Sequence, residues 1–194
     1  MFAGIVTHVG KIESSRRHGD GLRQRIAVKD FAMEEVKIGD SIAIQGVCHT
    51  VVAKDGDTFE VDSSNATLQV TAGLEAGREV NLEKSLRLSD RIDGHIVAGH
   101  VDGVGRVVSF DDLGGSARLV IEAPGELAKY IAKKGSVTVD GVSLTVNAID
   151  GSSFEVNIIP HTKAVTTLRN LAPGARVNLE VDMLARYVER LLVR

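Results

Sequence analysis

A register of 95 residues runs through this chain: Ala3-Gly4-Ile5-Val6-Thr7-His8-Val9-Gly10-Lys11-Ile12 lies over Ala98-Gly99-His100-Val101-Asp102-Gly103-Val104-Gly105-Arg106-Val107 without a gap. The same offset sets Gly46-Val47-Cys48-His49-Thr50-Val51 over Gly141-Val142-Ser143-Leu144-Thr145-Val146, and Phe59-Glu60-Val61 over Phe154-Glu155-Val156. With two extra residues in the second copy, Val80-Asn81-Leu82-Glu83 meets Val177-Asn178-Leu179-Glu180. A register held over most of both halves is a duplication, so the 194 residues divide into two small domains of one fold. The expected boundaries are 1–90, 91–182 and a terminal helix over 183–194.

Each copy reads as short strands with one small helix. Gly4 to Ser14 alternates loosely and Gln24 to Val28 returns as its hairpin partner. Phe31 to Val36 has room for a short helix stopped at Gly39-Asp40; its counterpart is clearer, with Leu127, Tyr130 and Ile131 at helical spacing after Pro124. Strands over Ser41 to Ala53 and Thr58 to Ser63 flank the turn Lys54-Asp55-Gly56-Asp57, and Asp150-Gly151-Ser152-Ser153 repeats it. So many short strands predict an all-β protein with a closed antiparallel barrel in each half, because closure removes exposed sheet edges. The last segment, from Asp182, carries Leu184, Tyr187, Val188, Leu191 and Leu192 on one helical face. It either packs on its own barrel or joins other subunits.

Composition narrows the function. Hydrophobic residues at 43% and charged residues at 25% give neither a disordered chain nor a membrane span. A net charge of −3 with dispersed basic residues argues against nucleic acid, and the cluster Arg16-Arg17-His18 with Arg23 and Arg25 reads as a solvated hairpin. A single cysteine, Cys48, excludes an internal disulfide, and the amino terminus lacks signal-peptide character; the expected compartment is the cytoplasm. Without tryptophan, a flat ligand must be held mainly by backbone and small polar groups.

On the strand Val142 to Val146, period two puts Ser143 and Thr145 on the face opposite Val142, Leu144 and Val146, and Cys48 and Thr50 take the same face in the first copy. His49 falls where Leu144 stands and should enter the apolar side, where leucine in its place would be neutral or stabilising. His95, His100 and Asp102 do not complete a metal site. A Ser-His-Asp set drawn from Ser143, His100 and Asp140 has no nucleophile elbow behind it, and Gly99 to Gly105 lacks dinucleotide or Walker spacing.

Met1-Phe2-x-Gly4-Ile5-Val6, Gly46-Val47-Cys48-x-Thr50-Val51, Gly94-His95-x-x-x-Gly99-His100-Val101-Asp102-Gly103, Asp140-Gly141-Val142-Ser143-Leu144-Thr145-Val146 and Ile159-Pro160-His161-Thr162 together resemble the riboflavin synthase alpha chain family, lumazine proteins included. The resemblance implies two six-stranded Greek-key barrels with shallow sites for 6,7-dimethyl-8-ribityllumazine. It implies a dismutation needing no cofactor or metal, in which two stacked lumazines give riboflavin and a ribitylamino-pyrimidinedione. Such chemistry asks for approximation and for stabilisation of the anion left when the C7 methyl loses a proton. By resemblance Phe2, Cys48, His100 and Ser143 are catalytic candidates, and Gly4, Ile5, Val6, Cys48, Thr50, Ser64, Ala66, Thr67, Val101, Asp140, Thr145, Ile159 and Thr162 are ligand-binding candidates. Phe2, Cys48 and Thr50 are expected in one pocket; His100, Asp140, Ser143, Thr145, Ile159 and Thr162 in the other. A catalyst of this family is expected as a homotrimer pairing barrels of neighbouring subunits. Ala3, His49 and Ala66 depart from the enzymes' usual residues, and Ala66 resembles the lumazine proteins; the alternative is a monomeric, non-catalytic carrier of a ribityl lumazine or flavin chromophore.

Overall fold

The structure, a computed structural model, describes residues 1–192. The first half comprises β1 (His8–His18), β2 (Gly21–Ala27), β3 (Ser41–Ile44), β4 (Val47–Asp55), β5 (Thr58–Ser63), helix α1 (Asn65–Val70) and β6 (Glu79–Lys84). The second repeats it: β7 (Gly103–Asp112), β8 (Ala117–Glu122), α2 (Gly125–Ala128), β9 (Ser136–Val139), β10 (Val142–Asp150), β11 (Ser153–Ile158), α3 (Pro160–Val165), a 3-10 turn (Thr167–Asn170) and β12 (Arg176–Val181). Helix α4 (Met183–Leu192) follows, so the expected helix end at Val193-Arg194 lies outside the described residues.

Each half closes into a six-stranded antiparallel barrel, with strand order β1-β2-β5-β4-β3-β6 in the first and β7-β8-β11-β10-β9-β12 in the second. Alternation drives this: Phe59, Val61 and Ser63 of β5 point inward, as do Phe154, Val156 and Ile158 of β11. Bulges after Ile12 and Val51, repeated after Val107 and Val146, bend the strands enough for closure. Each barrel holds its own core, centred on Phe31 and Phe59 in the first and on Phe154 in the second.

Three local expectations are corrected. Phe31 to Val36 forms turns rather than a helix, because Asp30 and Ala32 take φ of 56° and 48° and the Lys54 ammonium holds the Met33 and Val36 carbonyls. The corresponding helix in the second half stops at Ala128, although Leu127 and Ile131 are buried as their spacing implies. The single strand over Ser41 to Ala53 is a hairpin whose turn, Gln45-Gly46, has φ of 52° and 82°; Asp140-Gly141 repeats it at 50° and 81°. Two successive positive φ values match the right-handed twist of flanking strands.

These turns join the barrels. The Asn81 amide donates to Asp140 O at 2.8 Å and accepts from Thr167 N at 2.7 Å; the Asn178 amide donates to Gln45 O at 2.9 Å and accepts from Ala72 N at 2.7 Å. Each barrel's β6 or β12 asparagine thus binds the opposite barrel's turn, and the two halves meet about an approximate two-fold axis.

Candidate active site

The candidate residues are organised by segments that cross between barrels. Ser143 N donates to Gly4 O at 2.7 Å, and Val6 enters the core of the second barrel. Reciprocally, Cys48 N donates to Gly99 O at 2.8 Å, and Val101 packs on the core of the first. Phe2 and Val97, paired as an antiparallel bridge, mark where the segments pass one another. The approach demands glycine: a β-carbon on Gly4 would come within 2.6 Å of Ser143 Cβ, and one on Gly99 within 2.7 Å of Cys48 Cβ, with φ of +74° and +78°.

Two equivalent shallow sites result. In the first barrel Cys48 and Thr50 on β4 form the floor, Gly99, His100 and Val101 the roof, and Ser64, Ala66 and Thr67 the flank at α1. In the second, Ser143 and Thr145 on β10 lie under Gly4, Ile5 and Val6, flanked by Ile159, His161 and Thr162 at α3. Thr50, Thr145, His100, Ile5 and Ile159 are solvent-exposed, while Cys48 and Ser143 are half-buried beneath the crossing backbone. The sites differ in chemistry, with a thiol at Cys48 against a hydroxyl at Ser143 and an imidazole at His100 against the apolar Ile5.

His95 adds a group with no counterpart in the first repeat. Its Nδ1 lies 2.7 Å from the Ser143 hydroxyl. Burial pushes the imidazole below its ordinary pKa, only partly opposed by the charge of Asp182, so the ring is neutral at pH 7.

The lumazine binding domain model matches residues 3–85 and again 98–182. The chain is 44% identical to the riboflavin synthase of Photobacterium phosphoreum over all of this chain and 89% of the relative. It is 42% identical to that of Brucella abortus over 98% of both. The chain belongs to the riboflavin synthase family. Among solved structures of this family's fold, LumP complexed with riboflavin superposes with a TM-score of 0.86 at 27% identity, covering 94% of this chain and 100% of LumP. LumP complexed with 6,7-dimethyl-8-(1'-D-ribityl) lumazine gives 0.84 at 27% identity, with 94% and 99% covered.

Within this riboflavin synthase family fold the expected grouping of site residues is rearranged. His100 lies with Cys48 and not with Ser143, because the segment carrying it crosses to the first barrel. Asp140 stands apart from both floors: its carboxylate accepts from Asn178 N at 2.8 Å at the inter-barrel junction, and burial pushes it up to about 7. Phe2 is fully buried with Ala43, Val97 and Cys48, so its ring supports the first site from behind. The Ser64 hydroxyl caps α1 by accepting Thr67 N at 3.2 Å. Sequence spacing set His95 aside once a metal site was rejected; its pairing with Ser143 depends on a 48-residue loop closure that no local pattern encodes.

Proposed function

We propose that the protein is a riboflavin synthase, dismutating two molecules of 6,7-dimethyl-8-ribityllumazine to riboflavin and a ribitylamino-pyrimidinedione. The observation that carries this reading is the pair of equivalent sites, each with one half-buried nucleophile-type side chain, Cys48 or Ser143, under a crossing glycine segment. Two like sites with unlike side chains suit a reaction in which two copies of one substrate play different parts. Exposed Ile5 and Ile159 offer apolar contact to a flat ring in the second site, and Thr50, Thr145 and Thr162 offer hydroxyls to ribityl chains.

Proton transfer falls to the second site. With Nε2 protonated, neutral His95 accepts the Ser143 hydroxyl proton at Nδ1, so Ser143 can take a proton from the C7 methyl of bound lumazine and pass it to the ring. No side chain at the first site is paired in this way, which leaves it the partner that receives the four-carbon unit.

Stacking two lumazines requires two sites to face each other, and α4 is the segment that supports an assembly. Its polar side is tied to its own chain through Arg186 to Asp102 and through Glu189 to Lys129 and Tyr130. Its apolar side turns outward, with Leu184 at 66%, Tyr187 at 67% and Leu191 at 82% exposure. A surface helix with its apolar stripe in solvent fits contact with other copies, and a homotrimer in the cytoplasm is the state proposed. Among the described residues no helix is long and apolar enough to cross a membrane.

The second reading is a carrier that binds lumazine or flavin without turnover, favoured by Ala66 at the flank of the first site. Incubation with 6,7-dimethyl-8-ribityllumazine decides between them. Riboflavin formed in a ratio of one per two lumazines consumed supports the enzyme; tight binding without product supports the carrier.

A further inference from the structure

Glu83 on β6 and Glu180 on β12 stand at equivalent places in the repeats, and each is 5% exposed. Glu83 accepts Ala3 N at 2.7 Å through one oxygen and Gly4 N at 3.1 Å through the other. Glu180 accepts Ala98 N at 2.7 Å, Gly99 N at 2.9 Å and His100 N at 3.0 Å. Consecutive backbone N–H groups converging on a carboxylate form an anion nest, here filled by the protein's own side chain. The segments so gripped do not serve the barrel that grips them. Glu83 belongs to the first barrel, yet Ala3-Gly4 roofs Ser143; Glu180 belongs to the second, yet Gly99-His100 roofs Cys48.

We propose that Glu83 and Glu180 are positioning residues that act crosswise, the carboxylate rooted in each barrel fixing the roof of the site in the other. This deepens the functional reading, since it takes Cys48 and Ser143 as the floors of the two sites. The wiring explains why both carboxylates are kept in a buried place where leucine or valine would otherwise fit: three successive amides need one acceptor, and only an anion serves them all. Glutamine in either position replaces one accepting oxygen with an amino group that faces N–H donors, so part of the roof is released.

Thiol labelling in the absence of lumazine tests the wiring independently of catalysis. Cys48 is the chain's single cysteine, so a maleimide reports the first site directly. Glu180→Gln should raise the labelling rate at least fivefold, whereas Glu83→Gln, although in the same barrel as Cys48, should leave it within twofold. In a Cys48→Ser, Ser143→Cys background the pattern should invert, with Glu83→Gln accelerating and Glu180→Gln silent. Glu83→Asp and Glu180→Asp, which keep the anion, should restore the slow rates in part, and they carry the test if the glutamine variants do not fold. An effect of Glu83→Gln on Cys48 equal to or larger than that of Glu180→Gln, or no effect of either, overturns the proposal. The crosswise pattern without any turnover of lumazine would uphold the wiring while rejecting the enzyme.

Discussion

His49 Nε2 lies 2.8 Å from the Ser63 hydroxyl inside the first barrel. Nδ1 faces Val47 O at 3.0 Å, the Ser63 hydroxyl reaches Gln24 Oε1 at 2.6 Å, and the Gln24 amide donates to Leu74 O at 2.6 Å. The same three places in the second barrel hold Leu144, Ile158 and Leu119, all apolar and all buried. One repeat has a polar chain of contacts where the other has a hydrocarbon cluster, and each is satisfied on its own terms.

His49→Leu is therefore expected to destabilise, contrary to what the position suggests in sequence. Removing the ring strips a partner from Val47 O and Ser63 while leaving them buried, a loss of roughly 1–3 kcal/mol. Replacing the whole set, with His49→Leu, Gln24→Leu and Ser63→Ile together, should recover most of it. Denaturant melts of the single and triple variants check this; a triple variant no better than the single would show that the network is not the cause.

The same ring sets an acid limb. Burial pushes His49 down to about 4 from an ordinary 6.5, so the unfolded chain binds the proton first as pH falls. The stability of the wild type relative to the triple variant should be full above pH 6.5 and decline toward pH 4. Melts at pH 7.5, 5.5 and 4.5 give the comparison.

Asp140 works in the opposite sense. Its carboxyl, raised by burial from 3.8 to about 7, holds its proton more tightly when folded, so its contribution is complete below pH 3.8 and is lost as pH rises through 7. Asp140→Asn should flatten that slope, leaving a variant whose stability changes less between pH 5 and pH 8 than the wild type's. An unchanged slope would place the titration elsewhere.

His95→Gln should lower riboflavin formation by roughly 100-fold, the usual worth of a positioned proton acceptor, with ligand affinity nearly unchanged. In the wild type, the acid side of the rate profile should fall at a pH below 6.5, since burial lowers this imidazole. A rate that survives the substitution would remove His95 from the mechanism.

Leu184→Glu with Leu191→Glu should yield a smaller species in light scattering that binds lumazine yet forms no riboflavin. The sites lie upstream of α4, so binding does not depend on it. An active monomer would separate catalysis from assembly.

How much of this was legible beforehand depends on the range over which each feature is encoded. The barrels, the floor pairs Cys48/Thr50 and Ser143/Thr145 and the outward helix face follow from local periodicity, and the repeat doubled each signal. The Gln45-Gly46 turn was missed because glutamine seldom takes a positive φ, although Asp140-Gly141 in the other copy is a recognised hairpin turn. His95 on Ser143, His100 over Cys48 and the Asp140 junction were hidden because they arise from segments exchanged between barrels, which no strand or helix period records.

That exchange puts the repeat in sequence and the working unit in space out of phase. Residues 1–90 contain the Cys48 floor but end before Gly99, while their own leading residues cover a floor that begins at Ser143. Severing the chain at its repeat boundary would separate every roof from its floor. The portable unit around Cys48 runs instead from β1 through Val101, a module whose edges no duplication boundary marks.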